Sequence, residues 1–428
     1  MRPMKVLILS NTAWRNDNSF GSSYSGIFGG MDDFEFANIY CRSGLPQNSI
    51  CKHHFHISES ALVKNLFNKK VPTGRVIKTV QSEESINQET KIYKSARILR
   101  WQIFYWAQAL LWNVSRWKSQ ALIDFIDTFD ADILFFPLYY SNYINKIAKF
   151  ITRHTGKKLI LYVSDDVYTL RQFSMSPLYW LNRFMIRPQI KNMINRCELL
   201  YVISDVQKQS YERIFGKETK VLTKGADFSD KPKIKQPQSV LKMLYTGNIG
   251  SGRWQVLADI AKSLKEVNSE KPKAMLDIYT LTPITQKMKT ALDVAGSAKL
   301  HGGVSSAEVR KLQTEADVLV HVESFSFKER LKVYQSFSTK LVDYMHMGKC
   351  IFAAGPEEVA SIQHLIQNDA AMAATSKKEI AEKLKQIIDH PDLILAYASK
   401  AWACGEKNHD IATIQAMIRE DIARVIAR

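Results

Sequence analysis

Short apolar runs alternate with longer stretches of helical periodicity along most of the chain. The runs in the first half are rich in Ile, Leu, Val and aromatic residues, are bounded by turn or capping residues, and cover residues 4–10, 132–137, 158–164 and 199–204. Strands that alternate with helices favour a parallel sheet covered by helices. A long polar loop is expected between the first run and about Gly30.

The same alternation restarts after residues 229–240, a segment that is rich in proline and lysine and poor in apolar residues. This composition is typical of a linker between domains. Beyond it, strands are predicted at residues 242–246, 274–280, 299–303, 317–322 and 349–354, and the stretch 377–428 is predicted to be helical throughout. We therefore expect two α/β domains in tandem, residues 1–232 and 238–411.

Composition agrees with two globular domains. The chain has 428 residues, of which 46% are hydrophobic and 24% charged, and this length and balance exclude a small or disordered protein. The net charge of +17 is uneven, because residues 1–238 hold 34 Lys and Arg against 20 Asp and Glu. The first half is therefore expected to face an anionic surface or an anionic substrate.

Five cysteines without any CxxC spacing favour a reduced, cytoplasmic location. The first ten residues are not expected to form a secretory signal, and no apolar run of about 18 residues predicts a membrane span. Neither of two candidate metal motifs is expected to bind metal. Residues 51–56 hold one Cys and three His without a second ligand pair, and Asp130-Ala131-Asp132 is more typical of a turn.

A glycine-rich turn is predicted after the first strand of the second half. Residues 244–254 read LYTGNIGSGRW and lead into a helix. Glycines let a backbone approach a ligand closely, and a helix N-terminus favours phosphate oxygens. Arg253 adds a fork suited to a diphosphate. A tight turn without a ligand is the other interpretation of this segment.

Residues 337–356 predict a polar loop, a short helix, a glycine turn, a buried strand and a Gly-Pro turn. Thr339 and Lys340 come just before the helix, so the lysine can place a cation near the same phosphates. Asp343 follows within one turn and can accept hydrogen bonds from ribose hydroxyls. The alternative is a solvated helix start, where the helix dipole favours an acid.

Together, several segments in order resemble bacterial glycosyltransferases of the GT-B fold. The segments are 198–205 (ELLYVISD), 221–228 (VLTKGADF), 245–250 (YTGNIG), 301–320 with HGGVS and ADVLV at its two ends, and 338–356 (STKLVDYMHMGKCIFAAGP). The resemblance covers about residues 160–428. It is to the capsule and exopolysaccharide type, similar to glycosyltransferase family 4.

This resemblance implies two Rossmann-like α/β domains facing across a cleft, with the helix at about 412–428 packing back on the first domain. It implies a nucleotide-sugar donor, UDP-linked in our expectation, and no metal or other cofactor. Arg253 and Lys340 are assigned to catalysis through stabilisation of the departing diphosphate. The residues assigned to the donor are Gly247, Asn248, Ile249, Arg253, Val304 against the nucleobase, Ser338, Thr339, Lys340, and Asp343 at the ribose.

The sequence departs from the family at one informative position. Many retaining members carry two glutamates eight positions apart, where this chain has Gln335 and Asp343. Asp343 can still bind a ribose. The role of Gln335 at the donor sugar is open, and so is the choice between a retaining and an inverting hexosyltransferase.

The acceptor is assigned to the first domain. Asp165 and Asp166 follow a predicted strand at its carboxyl end, where ligands bind in open α/β sheets, and Asp165 is the candidate general base. A helix cap is the alternative for these acids. Ser19 and Gly21, in the loop after the first strand, are candidates for closing over the acceptor or the donor phosphates.

Residues 97–129 carry four tryptophans and several arginines at roughly helical spacing. A core helix is one interpretation, and an interfacial helix touching anionic lipid is the other. The basic, aromatic run 171–196 extends the second interpretation, which suits a lipid-linked acceptor at the inner face of a membrane.

We expect a glycosyltransferase that moves a sugar from a nucleotide-sugar to a glycan or lipid-linked glycan in cell-surface polysaccharide synthesis. A catalytically degenerate relative that only binds nucleotide-sugars is the main alternative. The high positive charge leaves a nucleic-acid-binding protein as a further one, although no nucleic-acid-binding motif is present and no nucleic acid partner is expected.

Overall fold

A computed structural model describes residues 2–77 and 102–428 of the chain, with side chains described from residue 106 onward in the second range. The described residues form two compact units. The first unit comprises the residues up to Leu170, Ser174–Leu222 and Gln415–Arg428, and the second comprises Arg171–Phe173 and Thr223–Ile414.

The first unit is built on an eight-stranded sheet in the order β4-β3-β2-β1-β5-β6-β7-β8. All neighbouring strands are parallel except the β3–β4 pair. The strands are β1 (Met4–Ser10), β2 (Phe34–Tyr40), β3 (His53–Ile57), β4 (Gly74–Ile77), β5 (Ile133–Pro137), β6 (Leu159–Val163), β7 (Leu199–Val202) and β8 (Thr219–Val221). The four strands predicted from apolar runs are confirmed as β1, β5, β6 and β7.

Helices cover this sheet and begin mostly at capping side chains. They are α1 (Ser19–Phe28), α2 (Glu59–Phe67), α3 (Gln102–Val114), α4 (Gln120–Phe129), α5 (Asn142–Thr155), α6 (Pro177–Arg196) and α7 (Asp205–Phe215). The side chains of Asn18, Ser58, Ser119, Ser176 and Ser204 each accept the N–H three residues further on. These bonds satisfy amides that a helix start leaves unpaired.

The long polar loop expected through Gly30 is wrong, because residues Ser19–Phe28 form helix α1. Three of its side chains, Tyr24, Ile27 and Phe28, are buried at helical spacing, and this burial outweighs the low helix propensity of the glycines and serines between them. Two glycines in ten residues masked that periodicity in the sequence.

The second unit has an all-parallel six-stranded sheet in the order β11-β10-β9-β12-β13-β14. Its strands are β9 (Leu241–Thr246), β10 (Ala274–Tyr279), β11 (Ala298–His301), β12 (Val318–Val322), β13 (Cys350–Ala354) and β14 (Met372–Ala374). Five of these were predicted. The sixth, β14, is three residues long and was missed, since so short a run carries no periodicity.

Helices in the second unit follow the predicted alternation. They are α8 (Arg253–Val267), α9 (Gln286–Leu292), α10 (Ser306–Glu315), α11 (Phe327–Val333), α12 (Lys340–His346), α13 (Ala360–Gln367), α14 (Lys377–Asp389) and α15 (Pro391–His409). Residues 229–240 form neither helix nor strand. The elements predicted for residues 337–356 are confirmed as α12, a turn at Gly348 and β13.

The last helix, α16 (Ile411–Ala427), contributes side chains to the first unit from Gln415 onward. Asp421 is fully buried and accepts a hydrogen bond of 2.7 Å from the hydroxyl of Tyr201. Arg419 pairs with Asp33 at the other side of the helix. Polar bonds to residues far away in sequence therefore attach this helix to the first sheet.

Of the tryptophan-rich run, residues 97–101 lie outside the described part of the chain, and the remainder folds as α3 and α4. Trp112 and Trp117 are buried in the core of the first unit, so the core interpretation is confirmed for them. All five cysteines are buried free thiols. Within residues 2–77 and 102–428, no helix is long and apolar enough to cross a membrane.

Candidate functional site

The carboxyl edge of the second sheet brings the predicted donor residues together, beginning with the turn after β9. Gly247 has a φ of 137°, a backbone conformation that residues with a Cβ rarely adopt. The hydroxyl of Tyr245 donates to the carbonyl of Asn248 at 2.7 Å, and the Asn248 side chain accepts the N–H of Gly250 at 2.6 Å. Local hydrogen bonds thus hold the turn in a defined shape before helix α8 begins.

Lys340 reaches this turn from the start of helix α12. Its ammonium donates to the carbonyl of Thr246 at 2.9 Å and lies 5.5 Å from the centre of the Tyr245 ring. A Cβ added to Gly247 would overlap this ammonium. Burial, followed by the charge of Arg253, lowers the pKa of Lys340 to about 8. Both effects disfavour the charged form of this lysine.

Arg253, the first residue of α8, is held by a residue that the sequence did not single out. Glu323 follows strand β12, and its two carboxylate oxygens accept hydrogen bonds of 3.0 and 3.1 Å from the Arg253 guanidinium. The glutamate side chain is only 5% exposed and that of the arginine 23%. Burial raises the pKa of Glu323 even though Arg253 and Lys340 oppose the shift.

His321 lies two residues before Glu323 and therefore on the same side of strand β12. Its Nε2 is 3.8 Å from a carboxylate oxygen of Glu323 and has no hydrogen-bond partner among the described residues. Burial, with the positive charges of Arg253 and Lys340, lowers the pKa of His321 to about 3. The imidazole is thus neutral in this arrangement.

Asp343, the candidate ribose ligand, is ion-paired. Lys224, in the turn that follows β8, donates a hydrogen bond from its ammonium to this carboxylate. The Asp343 side chain keeps 40% of its surface exposed and that of Lys224 keeps 18%. The site therefore holds three cations near Asp343 and the glycine turn at Gly247, namely Lys224, Arg253 and Lys340.

The remaining donor candidates contribute less side chain than the sequence suggested. Ile249 is fully buried in the hydrophobic core of the second unit, so only its backbone is open to a ligand. The N–H of Ser338 donates to Ser361 Oγ at 2.9 Å. Thr339 occupies the N-cap position of α12 without a side-chain capping bond. Val304 lies after β11 and is partly exposed.

In the first unit, the two adjacent acids after β6 differ in their surroundings. Asp165 is exposed. Asp166 accepts the N–H groups of Tyr168 and Thr169 at 3.0 and 2.8 Å, and its side chain, 6% exposed, lies 3.6 Å from the guanidinium of Arg183. The helix-cap interpretation is wrong for Asp166, because the next helix begins only at Pro177 and the bonds of Asp166 order the loop after β6 instead. The role of an exposed acid at a strand end is left to Asp165.

Ser19 and Gly21 belong to the first turn of α1. Ser19 is exposed. Gly21 is buried, and a Cβ at this position would overlap the backbone of Arg15. The glycine thus allows helix α1 to approach the preceding loop closely, which is a structural reason for its presence apart from any acceptor.

Sequence reasoning missed Glu323, His321 and Lys224. Glu323 and His321 lie at the end of a strand that was predicted, and Lys224 lies in residues 221–228, one of the segments that carry the resemblance. A charged residue at the carboxyl end of a predicted parallel strand was the available signal. In the described ranges, no group of three or more His, Cys, Asp or Glu side chains is arranged to hold a metal ion.

A family model matches part of the chain. Residues 279–418 match the family model for glycosyl transferase-like proteins. A comparison with curated proteins gave no match.

Solved structures of similar fold cover nearly the whole chain. HepE of Anabaena, solved with UDP and glucose, aligns with a TM-score of 0.62 at 12% identity over 98% of this chain and 100% of its own. The fold is GT-B. Sucrose-phosphate synthase of Thermosynechococcus elongatus aligns at 0.62 and 10% identity over 99% of both chains. OtsA aligns at 0.58 and 10% identity over 98% of this chain and 99% of its own. At such identities the likeness is one of fold.

Proposed function

We propose that this GT-B protein is a glycosyltransferase that takes a sugar from a nucleotide-sugar donor, most simply a UDP-sugar. The observation that carries the proposal is the group of Arg253 and Lys340 around the glycine turn at Gly247, at the carboxyl edge of a parallel sheet. Ligands bind at this edge in open α/β folds. Two of the structural relatives, HepE and a trehalose-6-phosphate protein from E. coli, were solved with UDP-sugars.

The chemistry required of such a site is stabilisation of a leaving diphosphate. The bond between the sugar carbon and the diphosphate oxygen breaks with its electron pair on the oxygen. Two cations placed before the reaction stabilise this developing charge at no cost of reorganisation. The acceptor hydroxyl forms the new bond and loses its proton, and Asp165 of the first unit is our candidate for accepting it.

We further propose a glycan or lipid-linked glycan of cell-surface polysaccharide, such as capsule or exopolysaccharide, as the acceptor, at an anionic membrane surface. Helix α6 supports this part, because it contains no acid and three basic residues that are not buried, Arg187, Lys191 and Arg196. Its solvent side carries four large apolar side chains that are 44–52% exposed, Leu178, Leu181, Phe184 and Met185. Apolar and basic side chains on one helix suit the surface of an anionic bilayer.

A second candidate function is nucleotide-sugar binding without transfer. It is favoured by Gln335, which occupies the position where many relatives carry a glutamate and which is 2% exposed. An amide cannot carry the negative charge of a carboxylate at the donor sugar.

The deciding experiment is a thermal-shift screen of the purified protein with UDP, GDP, ADP, CMP and TDP, followed by hydrolysis and transfer assays with the sugar donor of the nucleotide that binds. We expect UDP to raise Tm and the matching UDP-sugar to be hydrolysed slowly without acceptor. A protein that no nucleotide stabilises is not this enzyme. Binding without turnover under any acceptor favours the second candidate.

Flotation with vesicles tests the membrane surface. The protein is expected to float with phosphatidylglycerol vesicles and much less with phosphatidylcholine ones. Phe184→Ser together with Leu181→Ser is expected to abolish flotation, whereas Ile214→Ser, at an apolar side chain 41% exposed on α7, is the control. Equal flotation with both lipids contradicts this part of the proposal.

A further inference from the structure

Glu323 and His321 form a buried pair that the proposed chemistry does not use. Both side chains are more than nine-tenths buried, and they lie on one side of strand β12 with 3.8 Å between His321 Nε2 and Glu323 Oε1. The histidine nitrogen has no hydrogen-bond partner among the described residues. A buried nitrogen without a hydrogen bond costs free energy. A second state, in which His321 Nε2 and Glu323 are hydrogen-bonded, removes this cost.

Arg253 links this pair to the proposed donor site. Glu323 accepts hydrogen bonds from Arg253 Nε and Nη2, which are the donors of one edge of the guanidinium. A diphosphate held in a bidentate way needs such an edge. The Glu323 carboxylate and a diphosphate therefore compete for the Arg253 guanidinium. Because the site is largely buried, the two anions also repel each other when both lie beside this arginine.

The charges that face the pair indicate how this competition is relieved. Arg253 from α8 and Lys340 from α12 act on both Glu323 and His321, while Tyr245 of β9 and Glu329 of α11 act on Arg253. An anion bound to the two cations cancels the positive field that disfavours a proton on His321. The negative charge of the bound anion also favours a proton on either Glu323 or His321.

We propose that the Glu323–His321 pair takes up one proton from solvent when the diphosphate binds, and that Glu323 then bonds to His321 and releases Arg253 to the phosphates. The inference rests on the proposed donor-binding function and makes Glu323 and His321 positioning residues for Arg253. The proton forms one new N–H or O–H bond on the pair, and no other covalent bond changes. The distance from Nε2 to Oε1 has to shorten by only about 1 Å to reach an ordinary hydrogen bond.

Calorimetry with UDP-glucose tests this exchange. Each of its two phosphate groups carries one ester and one anhydride linkage and no second acidic oxygen, so the ligand itself does not titrate near neutral pH. Binding enthalpies at pH 6.5 are measured in buffers of different ionisation enthalpy, and the slope counts the protons taken up. Lys340 is already protonated at this pH, since its pKa is about 8. We expect an uptake approaching one proton and an affinity that rises as pH falls, by at most tenfold per unit.

Two substitutions locate the proton. Glu323→Gln keeps the shape of the side chain and cannot ionise, and His321→Asn keeps a polar group without a titratable nitrogen. Both are expected to bind UDP-glucose with uptake near zero and with an affinity independent of pH between 5.5 and 7.5. His301→Asn is the control, because His301 also contacts a carboxylate, that of Asp277 at 2.7 Å. It is expected to keep the uptake.

The outcomes separate this inference from the function on which it rests. Absence of UDP-glucose binding in the parent protein refutes the donor site and, with it, the exchange. Binding with no buffer dependence in the parent protein refutes the exchange and leaves the donor site standing. Unchanged uptake in both variants assigns the proton elsewhere and overturns the roles of Glu323 and His321. The parent measurement decides even where a variant fails to fold.

Discussion

The ammonium of Lys224 is hydrogen-bonded to the carboxylate of Asp343, 119 residues further along the chain. The bond orients an acid that is still 40% exposed and leaves its second oxygen for a ligand. An oriented carboxylate at the first turn of a helix, next to a glycine turn and two other cations, suits the hydroxyls of a ribose better than a solvated acid does.

Replacing this acid should therefore remove discrimination at the ribose. Asp343→Asn is expected to weaken UDP binding by about tenfold, the worth of one hydrogen bond to a charged group. The parent protein should prefer UDP to 2′,3′-dideoxy-UDP, and the variant should bind both alike. Titration calorimetry measures all four affinities.

Asp389→Asn is the matched control for Asp343, since Asp389 pairs with Lys273 at 3.5 Å before strand β10, at the opposite edge of the sheet. It should keep the parent preference. A variant at Asp343 that still prefers UDP to the dideoxy compound would remove Asp343 from the ribose site.

Gly247 should matter for affinity as well as for stability. Alanine at this position meets a φ of 137° and the ammonium of Lys340, so we expect a loss of about 1–2 kcal/mol in the free energy of unfolding and displacement of Lys340. Gly296→Ala is the control, because Gly296 has a φ of 74° with open space around its Cα. Both variants should lose stability in urea unfolding, but only Gly247→Ala should lose UDP affinity; equal UDP affinities would argue against contact between Lys340 and the ligand.

Lys340 predicts a pH dependence of donor binding above neutrality. Burial and the charge of Arg253 lower the pKa of this lysine to about 8. Above that pH the free protein loses the cation, and a bound diphosphate must bring the proton back. The titration of Lys340 should thus add a fall in UDP-glucose affinity of up to tenfold per unit above pH 8 to the pH dependence expected below it from the Glu323–His321 pair.

Lys340→Arg separates this cause from general effects of high pH. The guanidinium stays charged throughout the range, so the variant should lack this added fall in affinity between pH 8 and 9.5. A fall of the same steepness in the variant would assign the titration to another group.

The neighbouring acids Asp165 and Asp166 should separate catalysis from stability. Asp166→Ala removes an acceptor from two backbone N–H groups and leaves the buried Arg183 without its nearest carboxylate. We expect a loss of about 2–3 kcal/mol in the free energy of unfolding. Asp165→Ala changes an exposed side chain, so unfolding by urea should be unchanged within about 0.5 kcal/mol.

Sugar transfer, in contrast to stability, should depend on Asp165. Once the acceptor is identified, Asp165→Ala should lower kcat for transfer by about 100-fold or more if Asp165 is the general base. The KM of the variant for the donor should stay the same. Normal turnover by Asp165→Ala would exclude Asp165 from that role.

The sequence by itself determined the alternation of strands and helices, the division into two α/β halves and the helix–turn–strand order of residues 337–356. These features depend on periodicity and on turn residues, which are written locally in the chain. Where local signals were weak, in the glycine-containing helix α1 and the short strand β14, the sequence misled or was silent, because burial against distant residues decides such elements.

Only the tertiary structure decided which charges meet. Arg253 is held by Glu323, 70 residues away, and Lys224 is paired with Asp343. The sequence identified Arg253, Lys340 and Asp343 through the turns and the helix that carry them, but nothing in the local pattern identifies their partners. The pair of Arg253 and Glu323 depends on the sheet order, which places the ends of β9 and β12 side by side, and the sheet order is a property of the whole packed unit.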